Sequence, residues 1–402
     1  MLDRRTLISG AGGLAAALAA GKLFGRRAWA QSANLPFDNG ARPLVQYPQK
    51  RPLLRLTERP PQLETPFDVF DQGPITPNDA FFVRYHLADI PREIDPDAFR
   101  LQIDGKVNKP LSLSLGELKA MPATEIVAVN QCSGNSRAFF EPRVGGGQLG
   151  NGAMGNARWK GVRLKTVLDR AGVQAGARQV VLQGLDKPVI AATPDFAKAL
   201  DVDHARDGEV MLAWAMNGAD LPWLNGYPLR VVVPGYYGTY WMKHVDQITV
   251  IDTEFDSFWM KTAYRIPDNE CACVPPGGKP EKTVPIGRLD VRSFITNLAD
   301  NARVKAGAAT PVRGIAFDGG HGIKDVALSS DGGKTWKPAQ LGGDLGKYSF
   351  RTWKTTVKLA AGAQTLMVRA TSRSGEVQPL EPRWNPSGYM RNVIETVHLE
   401  AA

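Results

Sequence analysis

A paired C-x-x-C motif is missing from the 402 residues, and so is C-x-x-C-H, which removes zinc ribbons and covalently attached haem from consideration. The five histidines, His86, His204, His244, His321 and His398, contain no i,i+4 pair that could grip a metal from one helix face. Basic residues never gather into a block interleaved with aromatics, so nucleic-acid binding has no support. The stretch SSDGGKTW (Ser329–Trp336) ends in Gly-Lys-Thr, but a phosphate loop needs glycine where Leu328 stands; it reads as a hairpin turn. Cysteine itself is scarce: Cys132, Cys271 and Cys273 are all there is. Any redox metal must arrive inside a cofactor, or electrons must leave to another protein.

What is present suffices for a substantial core. The chain is 43% hydrophobic and 22% charged, which at this length favours two domains. Its 41 glycines, 29 prolines and 9 tryptophans lean toward strands and loops rather than a helical bundle. Residues 1–30 stand apart: Arg4 and Arg5 precede a stretch rich in Ala, Gly and Leu that ends at the small-residue site Ala28–Ala30. This reads as a twin-arginine (Tat) signal peptide, so the mature protein is expected in the periplasm. The stretch is short and glycine-interrupted against the roughly 20 apolar residues of a spanning helix, so a membrane anchor is the weaker reading. Twin-arginine export moves folded proteins, commonly around a cofactor inserted beforehand. Of the formal charge of +9, Arg4, Arg5, Lys22, Arg26 and Arg27 against Asp3 carry +4, leaving +5 for the mature chain. That mild excess suits an anionic substrate or an acidic partner. In an oxidising compartment three cysteines leave one unpaired, and Cys132 is the natural odd one out. Cys271 and Cys273 leave two states open: a pair closed in a strained short ring, or two buried thiols.

Residues 31–75 are proline-rich and aperiodic, as in an extended arm laid over a domain. From 76 to 285 short strands mix with helical stretches such as WKGVRLKTVLDRAGV (Trp159–Val173), an α+β pattern. LRVVVPG (Leu229–Gly235) is a continuous apolar run closed by Pro-Gly, the pattern of a strand buried on both faces. From 286 to 402, short alternating segments bounded by Gly, Asp, Asn and Ser fit a β-sandwich of about a hundred residues.

VNQCSGNSR (Val129–Arg137) sets Cys132 where the alternating strand EIVAVNQ runs out into a loop, with Arg137 five residues on. Loops on a rigid scaffold concentrate function, yet free cysteine is among the most buried residue types. The pattern alone leaves an inert packed thiol and a working one both open. A cysteine-protease reading has no local signature. In FFVRYH (Phe81–His86), Arg84 and His86 are two apart and share one face of an extended strand. With Arg137 they form a cationic pocket for a small oxyanion, or they are two exposed arginines and a packed histidine.

FFVRYH, NQCSGNSR, NARWKGV, GYPLRVVVPG, SSDGGKTW and WNPSGY follow one another in the order of the landmarks of the sulfite oxidase family of molybdopterin enzymes. The sequence most resembles the bacterial, exported, cytochrome-linked members, over nearly the whole mature chain. The resemblance implies an α+β protein: a mixed α/β molybdopterin domain over 76–285, then an immunoglobulin-like sandwich over 286–402 that serves dimerisation in much of the family. It implies Mo-molybdopterin as cofactor and Cys132 as the metal ligand. Arg84 and Arg137 would bind the anionic substrate, His86 would add positive or hydrogen-bonding character, and Tyr264 of FWMKTAYRIPDN would donate its hydroxyl to an oxygen ligand. Cofactor contacts are implied for Phe82, Arg84, His86, Asp186, Arg230 and Lys243, with the last two suited to its phosphate. Asn225 is a cofactor-site position where many members carry histidine, so its contact is changed. Ser387 stands where animal enzymes place an arginine, which shifts weight onto His86; Arg391 lies nearby without inheriting the role.

The activity implied is oxidation of sulfite to sulfate by oxygen-atom transfer. Electrons would pass singly to a c-type cytochrome, as subunit or docking partner, because this chain has no haem motif. Homodimer and cytochrome heterodimer both fit. The rival is a periplasmic molybdopterin reductase acting on sulfoxides, which generally lacks the sandwich and the full arginine pocket. A non-enzymatic binding module built on the sandwich is a third reading, and it predicts no molybdenum.

Overall fold

The computed structural model describes residues 32–34 and 41–402; the segment read as the twin-arginine signal, 1–30, lies outside them. No helix among the described residues is long and apolar enough to cross a membrane. Sheet dominates, and the α+β expectation shifts toward β: the longest helix described, Leu164–Ala171, has 8 residues. The stretch WKGVRLKTVLDRAGV is only half helical, because its first part belongs to the strand Met154–Arg163. There Ala157, Trp159 and Gly161 turn inward while Arg158 and Lys160 face water, the two-residue period of a half-buried strand. Helical spacing begins at Leu164, with Val167, Leu168 and Ala171 buried on the same face, and stops at left-handed Gly172.

Residues expected as an extended arm are extended, but as paired strands. Ala41–Val45, Leu53–Thr57 and Gln62–Glu64 join Ser32–Asn34 and Val83–Arg84 in one five-stranded sheet. Two further sheets form the centre. One runs Ala197–Asp201, Gln179–Gly184, Val245–Ile251, Arg100–Gly105, Leu111–Ser114. The other runs Ala219–Asp220, Met211–Met216, Met154–Arg163, Ala123–Gln131, with Arg230–Val232 paired to Met211–Met216. All of Arg230–Val232 is buried. Trp159, fully buried, packs its own sheet against two connecting segments: its ring meets Phe81 at 5.7 Å and Trp241 at 5.6 Å, and its indole N–H donates to the Ala128 carbonyl at 3.0 Å.

Beyond residue 290 two sheets enclose a second core. Arg292–Ile295, Ala309–Phe317, Arg351–Lys358 and Gln340–Leu341 form one. Ala302–Val304, Glu395–Ala401, Gly362–Ser372, Ile323–Ser329 and Lys337–Pro338 form the other. Val312, Trp353, Leu366 and Leu399 pack between them. SSDGGKTW is the turn joining Ile323–Ser329 to its antiparallel partner Lys337–Pro338, closed by Asp331, whose carboxylate accepts from the Thr335 N–H and hydroxyl. The two halves also pack on each other through Phe67 and Phe294, 5.5 Å apart, and through the ion pair of Arg313 with Asp71 at 2.6 Å. Cys271 and Cys273 are joined as a disulfide in the loop between Arg265–Pro267 and Thr283–Pro285.

Trp159→Ala removes a fully buried indole and its packing on Phe81 and Trp241 and should cost about 3–5 kcal/mol of unfolding free energy, with Trp159→Phe losing less. Denaturant unfolding of the full chain measures both.

Candidate active site

The strand Ala123–Gln131 is half-exposed at its start and buried throughout its last five residues, so the chain leaves the sheet deep inside the protein. Cys132, 8% exposed, begins the turn that follows. Its N–H donates to the Ala153 carbonyl at 2.9 Å, and its own carbonyl accepts from the Asn135 N–H at 3.0 Å. Asn135 returns a second clamp by accepting from the Ala153 N–H at 2.9 Å. The turn ends at Ser136, whose φ is +70°. Tyr264, His244 and Met390 also sit in the left-handed region, at φ between 50° and 60°. Such conformations cost bulky residues about 1–3 kcal/mol each and cluster where surrounding structure over-determines a site.

Cys132 lines a cavity together with Phe82, Arg84, His86, Asp186, Asn225, Arg230, Lys243 and Tyr264. Arg137 does not line it. Three glycines, Gly134, Gly146 and Gly388, leave the room that its guanidinium and stem occupy, since a Cβ on any of them would fall within 3.0 Å of Arg137. Its Nε donates to the Ser387 carbonyl at 3.1 Å and its Nη1 to the Gly147 carbonyl at 3.1 Å. The guanidinium lies 5.0 Å from the ring centre of Tyr389, and Tyr389 stacks at 5.4 Å on Tyr264. Arg137 is thus one ring removed from the cavity, because the loop Trp384–Met390 folds across it.

Arg230 is buried, Arg84 and Lys243 are partly buried, and none of the three forms a salt bridge among the described residues. Arg230 lies 4.8 Å from the Trp159 ring and 5.6 Å from that of Trp241, and donates to the carbonyls of Asn225 at 2.9 Å and Trp241 at 3.3 Å. Burial pulls its pKa down from 12.5 to about 9. Lys243 donates to the Arg84 carbonyl at 2.6 Å and stands 4.2 Å from the Tyr85 ring. Burial pulls it to about 7, with nearby Asp186 opposing and Arg230 and Arg84 reinforcing the shift. Three cations stand against the single lining carboxylate of Asp186, and positive charge withdrawn from water without full compensation is costly, so this cavity favours an anionic occupant. Arg230 Nε, Ser133 Oγ, Thr239 Oγ1 and Asn130 Oδ1 are buried at its walls without hydrogen-bond partners. A phosphate-bearing pterin offers both the negative charge and the acceptors and donors this lining lacks, and Cys132 offers one soft sulfur. No group of three or more His, Cys, Asp or Glu among the described residues could cage a metal alone.

Of the positive or hydrogen-bonding character expected of His86, the structure shows the hydrogen bond. Its ring stacks on Phe196 at 3.8 Å and meets Trp259 edge-on at 4.9 Å, while Nε2 shares a short hydrogen bond with the Tyr264 hydroxyl. Burial first, then Arg84, Lys243 and Lys198, holds its pKa well below the ordinary 6.5, so the imidazole is neutral. Burial raises Tyr264 and keeps the phenol protonated. Asn225 is at the wall, but its amide is committed to protein: Nδ2 donates to the Phe82 carbonyl at 3.0 Å, and Oδ1 accepts from Lys50. Lys50 also donates to the carbonyls of Asn78 at 2.7 Å and Phe81 at 3.0 Å, so it ties the start of the FFVRYH stretch to Asn225.

Sequence reasoning did not single out Lys50, Phe196, Lys198, Trp259 or Tyr389. Lys198 is fully buried, donating to the Trp259 carbonyl at 2.7 Å with its ammonium 5.4 Å from the Tyr264 ring centre. Tyr389 and Trp259 lay within the quoted stretches WNPSGY and FWMKTAYRIPDN and carried a usable signal; Lys50, Phe196 and Lys198 carried none.

Burial lowers Lys50 from 10.5 to about 7. The unfolded chain therefore binds the proton first as pH falls, and this group's contribution to stability declines from about pH 10.5 to about pH 7. Lys50→Met should remove that share of the slope, at most about 1.4 kcal/mol per pH unit, in urea unfolding of the full chain across this range.

Comparison with known proteins agrees with this geometry. Residues 86–259 match the oxidoreductase molybdopterin-binding domain, and residues 283–401 match the Mo-co oxidoreductase dimerisation domain. Mitochondrial sulfite oxidase of Homo sapiens is 34% identical over 378 residues, covering 89% of this chain and 67% of that protein. Sulfite oxidase of Gallus gallus is 34% identical over 375 residues, covering 88% and 78%. The crystal structure of the sulfane dehydrogenase SoxCD from Paracoccus pantotrophus is similar with a TM-score of 0.74 and 27% identity, over 89% of this chain and 87% of that one. A catalytic-domain match, a dimerisation-domain match and these relatives together place the chain in the sulfite oxidase family of molybdopterin oxidoreductases.

Proposed function

We propose that this chain oxidises sulfite to sulfate at a molybdenum–pterin centre and passes the electrons singly to a c-type cytochrome. The observation that carries the reading is a lone cysteine opening into a cavity where three cations, Arg84, Arg230 and Lys243, form no salt bridge and face a single lining carboxylate, Asp186. When bound, the molybdenum cofactor supplies oxygen-atom transfer and the two-electron redox change. Cys132 gives the metal one thiolate. Arg230 and Lys243 hold the cofactor's phosphate, with Phe82, Asp186 and Asn225 shaping the wall around it. Arg84 draws the sulfite dianion in and steadies its charge. Tyr264, kept protonated by burial, donates its O–H, and neutral His86 orients that phenol rather than adding charge. Phe196 and Trp259 cover His86 and exclude water from its side of the pocket. Arg137 contributes from the layer behind, through the Tyr389–Tyr264 stack.

The wider setting follows the same reading. The twin-arginine segment sends the folded protein to the periplasm, where the cytochrome acceptor works as a bound subunit or a docking partner. The two-sheet second domain is read as immunoglobulin-like and as the dimer-forming half. A second reading, oxidation of sulfane sulfur on a carrier, draws on the likeness to a sulfane dehydrogenase. It also draws on Phe258, 43% exposed and packed edge-on to Trp259, an apolar edge that free sulfite does not need.

Metal analysis of the purified protein with a sulfite-dependent cytochrome c reduction assay tests the proposal. Molybdenum with sulfite turnover supports it. Molybdenum with turnover only on a sulfane-bearing thiol selects the second reading, and sulfoxide reduction instead selects the reductase. Cys132→Ser should remain folded and lose at least about a hundredfold of the activity, since even groups that merely orient metal ligands are worth that much. Arg84→Met should raise KM for sulfite about ten- to hundredfold, the worth of a charged hydrogen bond. A folded Cys132→Ser protein with full turnover would end the proposal.

A further inference from the structure

Arg292 comes from the second domain, on the strand Arg292–Ile295, yet its guanidinium ends against the turn that carries Cys132. It is 1% exposed. Its Nη2 donates to Ser136 Oγ at 2.6 Å and to Glu395 Oε1 at 2.7 Å, and its Nη1 reaches Gln131 Oε1 at 3.5 Å. Gln131 immediately precedes Cys132, and Ser136 immediately precedes Arg137. One side chain therefore touches both ends of the turn. Ser136 passes the contact on to Asn151 through its hydroxyl. Glu395 is held in turn by Arg391 at 2.8 Å, so the anchoring carboxylate has little freedom. Ser136 adopts its left-handed backbone without being glycine, a state that persists only when neighbours over-determine it. Arg292 itself does not line the cavity.

We propose that Arg292 is a positioning residue through which the second domain sets the Gln131–Arg137 turn and so the place of the Cys132 sulfur. Its value for chemistry rests on the reading that Cys132 binds molybdenum. Its value for geometry does not. An arginine suits the task because its planar fork spans two acceptors that a lysine would serve one at a time.

The test uses the full chain with Arg292→Met, Arg292→Lys and Ser136→Ala. Cys271 and Cys273 are disulfide-bonded, which leaves Cys132 as the single alkylatable thiol. Iodoacetamide labelling of Cys132, read by mass spectrometry, is followed beside molybdenum content per chain and the unfolding midpoint. Arg292→Met and Ser136→Ala should label about tenfold faster or more than the parent and hold less molybdenum, with Arg292→Lys between. Combining Arg292→Met with Ser136→Ala should raise the labelling rate by less than the product of the two single effects, because both changes remove the Arg292–Ser136 contact. Ser136→Ala leaves the buried ion pair intact and decides the matter if Arg292→Met does not fold. Folded variants that label at the parent rate would overturn the proposal. Absence of molybdenum from the parent protein would refute the metal reading alone, and labelling would still decide the role of Arg292.

Discussion

Positive charge kept inside the protein without a salt bridge to hold it is the constraint that the rest of this structure serves. Arg230 cannot lean on water, so it takes two aromatic faces and two backbone carbonyls instead. Trp159 and Trp241 are therefore core residues and electrostatic partners at once, in keeping with the strength of cation–π contacts away from solvent. Lys243 makes the same arrangement with Tyr85 and the Arg84 carbonyl. Tyr85 is steadied from behind by His244, whose Nε2 accepts a hydrogen bond from the phenol while Nδ1 donates to the Tyr227 carbonyl. These are partial substitutes for an anion, and they keep the cavity lining rigid and unsatisfied together.

The second constraint is backbone strain, and the two halves of the chain divide its cost. Ser136 and Tyr264 belong to the first half, Met390 to the tail of the second. The Tyr264 carbonyl accepts from the Ile286 N–H at 2.8 Å, and the Met390 N–H donates to the Ser133 carbonyl at 3.4 Å. The region named for dimerisation thus also closes one side of the site. Arg137 shows the result: its direction is set by Ser387 and Tyr389, residues some 250 positions away.

Much of this was legible in the sequence. The alternation of EIVAVNQ located the strand and put Cys132 at its end, and the unbroken apolar run at Leu229 marked a strand buried on both faces. SSDGGKTW declared its turn through glycine and aspartate chemistry. Local patterns failed where position depends on distant partners. The strand Ala197–Asp201 is buried on both faces for four residues, so nothing in its spacing marks Lys198 as an interior ammonium. Lys50 sits in a stretch whose prolines interrupt any period, and only the tertiary contact with Asn225 reveals its place. WKGVR was drawn into a helical reading because the helix that follows shares its apolar spacing, although the strand continues to Arg163.

Lys50 clasps the cavity wall near one end of the described chain, while Tyr389 and Glu395 brace it near the other. No contiguous fragment can contain the site. Translation must deliver almost the whole polypeptide before the hollow exists, so the order of assembly, rather than local propensity, governs when a guest can be enclosed.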